Sequence, residues 1–159
     1  MKQNAAPITV VVVAFAMAVL SMVPSAHAQQ CSSAGALGTY GVSDAGKVVG
    51  IGPRAAVGFL TFKASGKIDG SVTASLNGGI SETTLSGTYK VNPNCTGTAS
   101  FDEFDQSENL ILTATVSIVW DANMREARFI FTSIVLADGT TLETVINGDA
   151  RKLFAEGED

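Results

Sequence analysis

Histidine is almost missing from this chain: the single one, His27, lies near the N-terminus. Downstream of it, a serine–histidine–aspartate triad, a histidine-bound metal and the commonest general base are all excluded. Basic residues are few and scattered, and Arg151-Lys152 is the only adjacent pair. Nucleic acid is therefore not an expected partner, because its phosphates need clustered Lys and Arg. Apolar stripes at helical spacing are absent after the first 28 residues, so no helix is expected there. A phosphate-cradling loop is missing too. Gly50, Gly52 and Gly58 sit in strand-like sequence rather than ahead of a helix. No cofactor is expected. Cysteine is limited to Cys31 and Cys95.

What the N-terminus does contain is an export pattern. Lys2 precedes an apolar run, "ITVVVVAFAMAVL" at 8–20, and then "SMVPSAHA", with Ala26 and Ala28 at the small-residue positions. This order of a basic start, an apolar core and A-x-A matches a signal peptide, 1–28, cleaved after Ala28. The apolar core is shorter than the roughly 20 residues of a membrane span. Lipidation of Cys31 is disfavoured, because Gln29 and Gln30 stand where a lipobox has small residues. The expected product is a soluble exported chain, periplasmic or secreted, with no membrane contact after cleavage. Its net charge moves from −5 to about −6 with the loss of Lys2. Its length suits one domain able to bury a core without metal help.

In an exported chain, two cysteines most simply form one disulfide, Cys31 to Cys95. A nucleophilic role would need a base or a positive setting to make the thiolate. Cys95 has Asn94 and Thr96 as neighbours.

Residues 29–37, small and polar, read as a flexible tether, and 155–159 as a charged, disordered tail. Between them, turn signals recur at all-β spacing. Short strands are expected at 38–43, stopped by Asp44-Ala45-Gly46, and at 47–52. Clearer ones follow at 54–62, 67–76, 81–91, 96–101, 109–120, 124–135 and 142–154. "KIDGSVTASL" puts Ile68, Val72, Ala74 and Leu76 on one face. "SETTLSGTYKV" does the same with Leu85, Tyr89 and Val91. Such alternation means one buried and one wet face, as in antiparallel sheets. Gly66 supplies the turn in "KASGK". The acidic "DEFDQSEN", 102–109, reads as a solvated loop. Phe104 and the missing glycine break a calcium-loop pattern, so no metal is expected.

The fold expected over 38–154 is all-β, an antiparallel up-and-down barrel of about eight strands, with a β-sandwich as the alternative. Short connections and the absence of exposed edges favour the barrel.

At "GTYGVSDAGKV", "AAVGFLTFKASGKIDGS" and "SGTYKVNPNCTGTASF" the chain resembles a group of small exported bacterial proteins. By shape it also resembles the allene oxide cyclase-like barrel, calycin-like in architecture. That resemblance implies a barrel whose interior binds or encloses a hydrophobic molecule. It assigns no catalytic residue here.

Residues expected to line an interior are the aromatics Tyr40, Phe62, Tyr89 and Trp120. Glu126 and Arg128, in phase with Met124, Ile130, Thr132 and Ile134, suggest a polar mouth. The expected ligand is a small apolar molecule. A cyclase- or isomerase-like enzyme that encloses its substrate is the alternative, favoured by a deep lumen with a buried charged pair. A filled lumen would leave a structural or interaction module. Strands 109–120 and 129–135 are apolar on both faces. With Ile111, Val119, Ile130 and Ile134 outside, they would form the contact of a homodimer.

Overall fold

A computed structural model of the chain describes residues 31–154. The expected signal segment, residues 29–30 and the tail lie outside the described residues. Eight strands follow one another: β1 (Gly38–Val48), β2 (Gly52–Phe62), β3 (Lys67–Leu76), β4 (Gly79–Val91), β5 (Thr96–Phe104), β6 (Leu110–Trp120), β7 (Glu126–Leu136) and β8 (Thr144–Phe154). Each pairs antiparallel with the next, and β1 pairs with β8, so the sheet closes into an up-and-down barrel. Closure leaves no free edge, which decides against the sandwich.

The alternation read from β3 is the alternation of the barrel wall, and β6 follows it too. Ile68, Val72 and Ala74 are buried, as are Leu112, Ala114, Val116, Ile118 and Trp120. Several glycines permit the tight coiling. At Gly58 and Gly87 a Cβ would collide with the carbonyl oxygens of Ser71 and Ser100 on the neighbouring strands. Only a residue without a side chain lets the strands bend so closely.

Several expectations are corrected. The strand at 38–43 does not stop at Asp44-Ala45-Gly46. β1 runs through all three residues to Val48, paired with β2 on one side and β8 on the other, so the separate strand expected at 47–52 is instead the end of β1, a turn at 49–51 and the start of β2. Turn-forming residues yield here because the ladder is satisfied on both edges and the Asp44 carboxylate has an ion-pair partner inside. Residues 102–104 are not loop but the end of β5. The expectation of no helix also fails. Ser33–Ala36 forms a short helix, α1, capped by Ser32, whose hydroxyl accepts from the Gly35 N–H at 3.2 Å.

Nor do residues 31–37 extend away from the barrel. Cys31 and Ala36 are buried, and Cys31 is disulfide-bonded to Cys95. The Lys152 ammonium donates to the Gly35 carbonyl at 2.8 Å and sits 5.2 Å from the centre of the Tyr40 ring. α1 thus plugs one end of the barrel, beside the β2–β3, β4–β5 and β6–β7 turns.

A further correction concerns phase. Pairing between β6 and β7 slips between Thr115 and Val116, so that Thr132 is left out of the register. Such a bulge shifts every later side chain to the opposite face. Ala127 and Phe131 point in before it and Ile134 points in after it, while Ile130 is outside. Strict alternation had placed Ile130 and Ile134 together. A second slip between Glu103 and Phe104, opposite Ile111, leaves Leu110 exposed and Ile111 half-buried. Of the four residues expected on the outer apolar face, Val119 and Ile130 are exposed and Ile134 is core.

Candidate functional site

The interior has two halves. In the plugged half, Phe62 is the centre of an aromatic cluster. Its ring lies 5.1 Å from Tyr40, 4.8 Å from Tyr89 and 6.3 Å from Trp120, all edge-to-face. The Tyr40 hydroxyl donates to the Met124 carbonyl at 2.6 Å and the Tyr89 hydroxyl to the Lys63 carbonyl at 3.0 Å. Burial pushes the Tyr40 phenol well above its ordinary pKa, with Asp121 and Tyr89 adding to the shift. Trp120 lies against Gly97, where a Cβ would fall 2.7 Å from the indole ring. Its Nε1 is the one buried side-chain N or O among the described residues without a hydrogen-bond partner.

These four aromatics were expected to line the interior, and they are buried there. They fill it as well. The cavity that Tyr40, Phe62 and Trp120 border has a volume of about 40 Å³, far below the roughly 300 Å³ at which small-molecule pockets begin.

Glu126 and Arg128 are elsewhere. They point outward on β7, with side chains 66% and 89% exposed, and make long surface ion pairs to Arg151 (3.9 Å) and Asp149 (3.7 Å). Ahead of the Thr132 bulge the inward phase of β7 belongs to Ala127, Phe129 and Phe131, so these charges mark no mouth.

The other half of the barrel opens into a cup of about 310 Å³ at the end opposite α1. Its wall is apolar, with Leu76, Leu112, Ile134, Leu136 and Leu142 among the lining residues. Its volume lies at the lower limit of small-molecule pockets, which hold about 300–1,000 Å³. The strands converge on it from alternate ends: β1, β3, β5 and β7 finish there and β2, β4 and β6 begin there.

Between cup and inner cavity lies a polar layer. Arg54 and Glu103 line both spaces. Arg54 grips Asp44 through two contacts, Nε to Oδ1 at 3.0 Å and Nη2 to Oδ2 at 3.3 Å. Both side chains are more than nine-tenths buried. Two-point contact fixes the guanidinium, which also lies 5.8 Å from the centre of the Phe131 ring. Glu103 is 4% exposed, and its Oε2 accepts from the Thr83 hydroxyl at 3.4 Å. Burial holds the Glu103 carboxyl above its ordinary pKa. The Arg54 charge opposes that shift, Asp44 adds to it, and the Thr83 hydrogen bond opposes it.

None of Asp44, Arg54, Thr83 and Glu103 was singled out in the sequence. One signal for Glu103 was present: it is in phase with Gly97, Ala99 and Phe101, the inward face of β5. Thr83 is likewise in phase with Leu85 and Tyr89 on β4. The acidic neighbours of Glu103 hid the first, and Asp44's turn-like context hid its pairing with Arg54.

Fold and site together define a closed antiparallel barrel, plugged at one end and hollowed at the other above a buried charged layer. No family model matches the chain, nor does any curated protein. Two solved structures that resemble it are redesigned β-barrels. One is mFAP1 bound to DFHBI, at 15% identity and a TM-score of 0.51, covering 76% of this chain and 98% of that one. Another is b11L5F_LGL, at 10% identity and a TM-score of 0.50, covering 77% and 96%. At these identities the likeness is one of fold. It bears on the barrel and carries no support for the cyclase-like kinship in particular.

Proposed function

We propose that this chain is an exported barrel that binds a small, largely apolar molecule in its open cup. The observation that carries the reading is the cup itself: about 310 Å³, apolar on its walls and polar at its floor. Few well-placed polar groups beneath apolar walls are how a pocket orients a small ligand. The redesigned barrel mFAP1 is described as bound to DFHBI, which makes small-ligand binding compatible with this architecture. The export half rests on the signal-like residues 1–28 and agrees with the Cys31–Cys95 disulfide.

The alternative is a cyclase- or isomerase-like enzyme acting by enclosure. The buried Asp44–Arg54 pair beside Glu103 favours it. The inner cavity of about 40 Å³ does not, because it is far smaller than the roughly 300 Å³ at which small-molecule pockets begin.

Calorimetric titration with octan-1-ol tests the binding reading. One saturable site is expected, weakened at least about tenfold when Ala74→Phe fills the cup. Ser81→Phe at the rim serves the same purpose if the first variant does not fold. No saturation up to the solubility limit of the alcohol, or binding unchanged in a folded filled variant, would sink the reading. N-terminal sequencing of the exported protein checks the rest: the first residue should be Gln29, and a retained Met1 counts against cleavage.

A further inference from the structure

The charged layer beneath the cup does not balance. Asp44 and Arg54 are matched to each other by two contacts. They are the only other charged residues lining either cavity, so an ionised Glu103 is a surplus negative charge. It is 4% exposed, and its one hydrogen-bond partner among the described residues, Thr83, is neutral. A buried anion without a cation is costly unless it keeps a proton or gains a partner. The elements around it supply one cation, Arg54, whose charge eases the cost but whose guanidinium is held by Asp44. β1 contributes Asp44, β2 contributes Arg54, already committed, and β4 contributes Thr83. β3, β6 and β7 present apolar lining.

We propose that the cup takes a small apolar amine, its ammonium seated on the Glu103 carboxylate and its hydrocarbon against Leu76, Leu112, Leu136 and Leu142. The inference rests on the cup being a ligand site and names the ligand class. The ammonium replaces the proton as the neutralising group. Where Glu103 enters the reaction as the neutral acid, Glu–COOH and R–NH₃⁺ give the Glu–COO⁻/R–NH₃⁺ pair and one proton released to solvent. No bond to carbon forms or breaks. An acid of the same length, by contrast, would bring a second negative charge to the floor.

Three probes of one chain length separate the cases: octylamine, octan-1-ol and octanoate, each titrated calorimetrically at pH 7.5 into the folded protein. Octylamine is expected to bind about tenfold or more tighter than octan-1-ol, the scale of one charge-assisted contact. Octanoate is expected to be the weakest. Glu103→Gln should erase the amine's advantage over the alcohol, bringing the two affinities within about twofold of each other. Lowering the pH from 8 to 5 should weaken the amine and not the alcohol, since protons compete only for the carboxylate. If the alcohol saturates the site but the amine gains nothing over it, this inference is overturned and the cup remains a binding site. If no probe binds, the cup reading itself fails. Should Glu103→Gln not fold, the ranking and pH dependence on the unaltered protein decide the matter.

Discussion

Replacing both cysteines, Cys31→Ser with Cys95→Ser, tests how the plug is held. The two residues are 64 apart in sequence. In the chain-entropy description a crosslink closing a loop of that length removes about 14 cal/mol/K from the unfolded chain, worth about 4 kcal/mol at 25 °C. Whole-domain stabilities are about 5–15 kcal/mol, so the variant should still fold, with much of its margin gone. For a domain of this size that loss lowers the melting temperature by on the order of 15 °C. Urea unfolding followed by fluorescence is suited to the measurement. Trp120 is the only tryptophan, and its backbone N–H donates to the Cys95 carbonyl at 2.9 Å, so the probe sits beside the crosslink. Protein reduced without mutation should match the double variant.

The same turn offers an internal control. Cys95 has φ +65°, a left-handed conformation that costs most residues about 1–2 kcal/mol and glycine little. With Cys31→Ser in place, Cys95→Gly should therefore be more stable than Cys95→Ser by about 1 kcal/mol. A loss below about 1 kcal/mol in the double serine variant would refute the loop argument. It would mean that the unfolded chain already keeps the two segments together, or that α1 docks without help.

Two further expectations bear on register and charge. Ile134→Lys should destabilise the barrel by about 3 kcal/mol or more, because Ile134 is 3% exposed. Ile130→Lys, at a position 49% exposed, should stay within about 0.5 kcal/mol; equal effects in urea unfolding would refute the Thr132 bulge. For Glu103 the folded carboxyl titrates above the unfolded one because of burial. The folded state thus holds a proton that the unfolded state has lost, and stability falls as pH rises from the ordinary carboxylate range through the raised folded value. Glu103→Gln removes that decline, so its stability relative to the natural chain should grow as pH rises from 4.5 to 8. A constant difference would show that Glu103 has no shifted titration.

Local pattern was enough for the architecture. The alternation in β3 and β4 and the turn at Gly66 act within a few residues, and up-and-down pairing of neighbours follows from short connections. The cysteine pair was readable for a similar reason: with two in the chain there is one way to join them. The aromatics Tyr40, Phe62, Tyr89 and Trp120 were read as interior, and their inward phase carries that much. Whether they leave a space or fill it depends on ring-to-ring distances across the barrel, which no single strand encodes.

The tertiary structure alone decided the site. A bulge at Thr132 moved Ile134 inward and left Glu126 and Arg128 in solvent, because one unpaired residue reverses the phase of everything beyond it. Asp44 and Arg54 are each turn-like or edge-like in their own neighbourhood, and closing β1 onto β2 and β8 brings them together as a buried pair. Glu103 belongs to an acidic stretch that looks solvated until the barrel closes around its inward phase. Propensity is local and could be read along the chain. The environment of a charge is set by what arrives from the far wall, and that is known only once the barrel has closed.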